Sequence, residues 1–165
     1  AWVLAKKYAG LELVTINPSL VLGPCLAKQS SASIDLVKMV MAGKYPLVPK
    51  LSLSPVDVRD VAATHIAALT GKRPIGKRFI LAGESVWMSE ITALLKAHSS
   101  RASSSEMPNF MTRLVAIFDP NVKSILSELG LMRYYDNQPA QKILKFVSRP
   151  LSVTLDDMVA SLNKF

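Results

Sequence analysis

The stretch that most limits the fold is LELVTINPSLVLGP, Leu11 to Pro24. Its first part, Leu11–Asn17, is rich in apolar and β-branched residues, and the apolar positions outnumber a strict alternation. A strand with one wet face alternates, whereas a strand covered on both faces does not. The segment therefore reads as a parallel strand sandwiched between helices, which points to an α/β chain. Pro18 removes a backbone donor, so the strand is expected to end at Asn17 and leave the sheet. The apolar residues that follow, as far as Gly23-Pro24, would then line a ligand crevice.

Flanking segments support that class. Ala1–Ala9 reads as a helix tail stopped by Gly10, and Ser33–Ala42 as a helix stopped by Gly43. In SPVDVRDVAATHIAAL (Ser54–Leu69), Asp57 is placed as an N-cap with Asp60 in the first turn, where the helix dipole favours an acid. Val58, Val61, Ala62, His65, Ile66 and Leu69 recur at helical spacing and predict the buried face. RFILAG (Arg78–Gly83) is a short strand, and Ser89 caps a helix running to about Ala97. His98–Asn109 is a serine-rich loop. Helical segments follow at Met111–Phe118, Asn121–Leu129, Asn137–Phe146 and Ser152–Leu162.

Composition excludes several functions. The 165 residues, half of them apolar, suffice for about one domain with a real core. No apolar run reaches the roughly 18 residues of a membrane span. The single cysteine, Cys25, excludes an internal disulfide and suits a reducing, cytoplasmic setting. It has no evident base and reads as a small hydrophobe. His65 and His98 have no companions at ligand spacing, so no metal site is expected. The net charge of +8 raises nucleic-acid binding, but the basic residues are scattered. The one local cluster, GKRPIGKR (Gly71–Arg78), holds turn residues and no aromatics for base stacking. No Gly-rich phosphate loop occurs. Asp156 and Asp157 diverge by about 100° on a helix and cannot act as a paired acid and base. The residues alone contain no complete active site, and the chain opens at Ala1-Trp2 in what reads as mid-protein.

Taken in order, GLELVTINPSLVLGP, SPVDVRDVAATHIAAL and RFILAGESVWMSEITALL resemble the second half of an extended short-chain dehydrogenase/reductase. The nearest branch is that of dihydroflavonol, aldehyde and cinnamoyl-CoA reductases, within the NAD-dependent epimerase/dehydratase superfamily. The late segment DPNVKSILSELG…YDNQPAQKILKFVSRPLSVTLDDMVASL is similar to that family's closing pattern. The resemblance implies a partial Rossmann fold: the C-terminal strands and helices of a doubly wound parallel sheet, plus a small, mainly helical substrate lobe. Residues 1–100 would belong to the dinucleotide domain, with substrate-side segments near 40–56 interleaved, and residues 101–165 to the substrate lobe and closing helices.

It also implies function. The parent would reduce an aldehyde or ketone with NADPH, NADH being possible. Pro18, Ser19, Leu20 and Val21 would contact the nicotinamide, with backbone amides freed by the proline turning to its carboxamide, and Ser33 would be the next cofactor contact. Asp57 and Arg59 would be structural. The catalytic Tyr-x-x-x-Lys, the Gly-rich loop and the catalytic serine are expected upstream of Ala1, so this chain itself carries no catalytic residue. The implied partners are a small carbonyl substrate and a possible second copy, with neither nucleic acid nor membrane. Rival readings are a sugar-nucleotide epimerase or 3β-hydroxysteroid-type dehydrogenase fragment, and a non-catalytic binding module.

Overall fold

A computed structural model describes residues 1–8, 10–28, 31–71, 74–120 and 122–164, and the backbone of residue 121. The helix end expected at Ala9 and the Lys72-Arg73 part of the basic loop lie outside the described residues. In chain order the elements begin with α1 (Trp2–Ala5), β1 (Thr15–Pro18), β2 (Leu20–Leu22) and α2 (Ala32–Met41). There follow β3 (Val48–Pro49), β4 (Ser52–Leu53), β5 (Pro55–Asp57), α3 (Val58–Thr70), β6 (Arg78–Leu81) and β7 (Val86–Trp87). The chain closes through α4 (Met88–Leu95), β8 (Glu106–Met107), α5 (Asn109–Val115), α6 (Pro120–Ser124), α7 (Gln138–Leu144) and α8 (Leu151–Leu162).

The α/β class is correct. β1 pairs with β6, β2 with β5 and β3 with β8, all parallel, and only β4–β7 is antiparallel. The reading of Pro18 needs correction. The proline is the last residue of β1, opposite Leu81, and the next N–H, that of Ser19, still donates to the Leu81 carbonyl at 2.9 Å. The chain does then leave the β1–β6 pair, as expected, but it takes a new partner at once, β5, in a second two-stranded sheet. A proline removes one donor; it does not prevent the following residue from pairing. The strand is also later than expected, since Leu11–Val14 lies outside it.

Two apolar clusters fill the interior. One joins β2, α2, α4 and α8 through Leu22, Val37, Val40, Ile91, Leu95, Leu155 and Met158. The other sets Phe79 and Leu81 of β6 and Val56 of β5 against Ala140 and Leu144 of α7, with Phe146 beyond it. Each buried Leu, Val or Phe contributes about 1.5–3 kcal/mol. α2 starts close to the expected position, but its cap is Ser31, whose Oγ accepts from the Ile34 N–H at 3.3 Å. Ser89 is not a cap either: it bonds Glu106, and the Trp87 N–H is satisfied by the Glu90 carboxylate at 2.7 Å. Leu94 of the same helix, α4, is 38% exposed.

Asp57 caps α3 as expected, accepting from the Arg59 N–H at 2.8 Å. The face of α3, however, is rotated from the expected one. Asp60 and Thr64 are buried and Val61, Ala67 and Ala68 half-buried, while Ile66 and Leu69 stand 63% and 86% exposed. Small Ala67 and Ala68 join Val61 in packing on the second cluster. Asp60 meets Arg149, whose backbone N–H and guanidinium both donate to it. His65, expected at a core edge, is exposed and bonds only its own helix, Nδ1 lying 2.8 Å from the Val61 carbonyl. The helices beyond the serine-rich loop are shorter than expected: Asn109–Val115 replaces Met111–Phe118, and Pro120–Ser124 replaces Asn121–Leu129.

Candidate functional site

A cleft of about 480 Å³ opens at the C-terminal end of β2. That volume falls within the roughly 300–1,000 Å³ of small-molecule sites. Its position agrees with the rule that ligands of open α/β sheets bind beyond the carboxyl ends of parallel strands. One wall is Val21, Leu22 and the turn Gly23–Ala27; another is the start of α2 with Ser31, Ser33 and Ile34; Val58 and Met158 complete it.

Gly23 makes the turn possible. Its φ is +130°, and a Cβ there would lie 2.9 Å from Val58 Cγ1 and 3.3 Å from Asp57 Oδ1. Beneath the turn, the fully buried Asp57 side chain is held from three sides. Arg59 donates through Nε to Oδ1 at 2.9 Å and through Nη2 to Oδ2 at 2.7 Å, and Thr154 Oγ1 of α8 donates to Oδ2 at 2.9 Å. Burial opposes its ionisation, but the hydrogen bonds from Arg59 and Thr154 prevail and hold the carboxyl below its ordinary range. The same bonds to Asp57, with those to Asp157, raise the Arg59 guanidinium above its usual value. Arg59 Nη1 reaches Asp157 at 2.7 Å, so the pair ties the start of α3 to α8. Asp156, next in the chain, points elsewhere and meets His98 at 2.7 Å.

The sequence-predicted contacts are only partly brought together. Val21 and Ser33 line the cleft. Ser33 is the second residue of α2 rather than its cap, and its hydroxyl has no partner among the described residues. Leu20 faces inward, onto a narrow apolar space beside Leu36, Leu53 and Met88. Pro18 and Ser19 line a separate surface hollow with Asn17, Arg78 and Tyr135. Ser19 is also doubly engaged: its N–H is used by Leu81, and its hydroxyl donates to the Ser54 carbonyl. The expected freed amide at Ser19 therefore does not exist. Sequence reasoning missed Gly23, Ser31, Met158 and the place of Cys25 on the cleft wall.

Chemically, the cleft combines apolar side chains (Val21, Ile34, Met158) with serine hydroxyls at the positive end of α2. The described residues contain no group of three or more His, Cys, Asp or Glu able to hold a metal, and no helix long and apolar enough to cross a membrane.

No family model matches the chain. It is 28% identical over 160 residues to the NADPH-dependent methylglyoxal reductase GRE2 of Saccharomyces cerevisiae, covering 93% of this chain and 44% of that protein. To cinnamoyl-CoA reductase 1 of Arabidopsis thaliana it is 36% identical over 95 residues, 58% of this chain and 27% of that one. The structure of the yeast methylglyoxal/isovaleraldehyde reductase Gre2 complexed with NADPH superposes on the whole chain, with a TM-score of 0.74 at 24% identity, and 48% of that protein is covered. The chain thus spans less than half the length of these curated relatives. In sequence and in fold it resembles the C-terminal half of an extended short-chain dehydrogenase/reductase.

Proposed function

We propose that the chain is the C-terminal part of an NADPH-dependent carbonyl reductase that converts a small aldehyde or ketone to an alcohol. The observation that carries this reading is the 160-residue similarity to a reductase named for NADPH and methylglyoxal, together with a cleft at the β2 end joining Val21 to Ser33. Val21 and Met158 would hold the ring face and exclude water. Ser33 would hydrogen-bond the carboxamide or a phosphate oxygen. Pro18 and Ser19, on their separate hollow, would meet the cofactor only where it extends past the cleft, and Leu20 would support the Val21 wall from the core. NADPH supplies the hydride. In this reading the tyrosine that gives the proton, and the lysine that lowers its pKa, lie upstream of Ala1.

The test is to express the protein from its natural reading frame and follow NADPH oxidation with methylglyoxal, an aromatic aldehyde and a cinnamoyl thioester. Turnover of any of the three supports the proposal. A product that neither binds nor oxidises NADPH contradicts it.

A further inference from the structure

We infer that Ser161, on the last helix and remote in sequence from the cleft, is the residue that positions the cleft's mouth. Its Oγ accepts the backbone N–H of Cys25 at 2.8 Å, across 136 positions of sequence, and donates to the Met158 carbonyl at 2.7 Å. Ser161 is only 6% exposed and Cys25 is half-buried, so the bond is partly shielded from water. Met158, one turn earlier on α8, lines the cleft, and Thr154, a turn earlier again, bonds Asp57 under Gly23. Three successive turns of α8 therefore grip the turn Gly23–Cys25: one from below through Asp57, one at the wall and one at the backbone itself.

The Cys25 N–H has no strand partner, because β2 ends at Leu22. Without Ser161 it would be a half-buried donor with nothing to pair with, and such groups drive the backbone to rearrange toward water. The turn would then no longer hold the Val21 wall at a fixed distance from Ser33. The consequence for cofactor affinity rests on the proposed function; the consequence for the turn does not.

Cys25 offers a direct readout, since it is the single cysteine of the 165 residues. Maleimide labelling of Cys25, located by peptide mapping, is compared in the product of the natural reading frame, unaltered and with Ser161→Ala, Ser161→Thr or Val159→Ala. Val159 is a 3% exposed core residue of the same helix, so its truncation loosens α8 without removing the bond. Ser161→Ala is expected to label about tenfold faster, the factor for one lost buried hydrogen bond. Ser161→Thr should restore the slow rate, and Val159→Ala should stay within about twofold of it. An unchanged rate in Ser161→Ala, or an equal rise in Val159→Ala, overturns the inference. In the product of the natural reading frame, Ser161→Ala should also weaken NADPH binding about tenfold. If the unaltered product binds no NADPH, the proposed function fails while the labelling comparison still decides the role of Ser161.

Discussion

Asp57→Asn isolates the charge at the centre of the α3–α8 junction. Asparagine keeps the volume and remains a good helix cap, so the bond to the Arg59 N–H survives. The bonds to Arg59 Nη2 and Thr154 now meet an amide N–H₂ where a carboxylate oxygen stood. Charge-assisted bonds contribute about 1.5–3 kcal/mol each. Arg59 is 35% exposed and retains Asp157, so part of the loss is recovered through water and that second carboxylate. The net expectation is about 2 kcal/mol at pH 7, read as a lower urea midpoint at one fixed protein concentration. The sign with pH follows from the direction of the Asp57 shift. A carboxyl held below its ordinary 3.8 in the folded chain stabilises fully above that value. That stability fades as pH falls through the lower folded-state value. The gap between the two proteins should therefore be full at pH 7 and narrow below about pH 4. Equal midpoints at pH 7, or a gap that does not change on acidification, would refute the account of this junction.

Two further outcomes concern backbone and surface. Gly83→Ala drives a Cβ into the Pro55 carbonyl oxygen, to which the Gly83 N–H already donates; a loss of about 3 kcal/mol in urea unfolding is expected, since a backbone atom must move. Among the described residues β1 pairs with β6 alone, and α3 leaves Ile66 and Leu69 exposed beside it. The isolated 165-residue chain should therefore melt broadly and in a concentration-dependent way. Ile66→Lys with Leu69→Lys should reduce that dependence in sedimentation and thermal scans at under about 0.5 kcal/mol per site.

Local chemistry was legible in the sequence; partner choice was not. The apolar excess of Leu11–Asn17 announced a parallel strand, though β1 is half-exposed rather than covered, and Asp57 announced a helix start, because both signals are carried by neighbouring residues. The switch of Leu20–Leu22 onto β5 has no such signal: a proline marks one missing donor, not the strand that the next residues will join. Periodicity shows that α3 is amphipathic but sets its buried face rotated from the real one, with Val61 common to both. Large apolar residues were weighed above Asp60 and Thr64, whose burial depends on Arg149 far along the chain and on an α3 back-bond. In the candidate site, Val21 and Ser33, expected from the family resemblance, share the cleft, while Pro18, Ser19 and Leu20 do not line it. The Cys25–Ser161 contact was invisible, since nothing local in either segment foretells the other.

The placement of the nicotinamide is the claim on which the functional account depends most. A crystal structure of the natural gene product with bound NADPH tests it directly. The account places the ring in the β2 cleft, in contact with Val21 and within hydrogen-bond reach of Ser33. A ring bound elsewhere, with that cleft left to solvent, would contradict it.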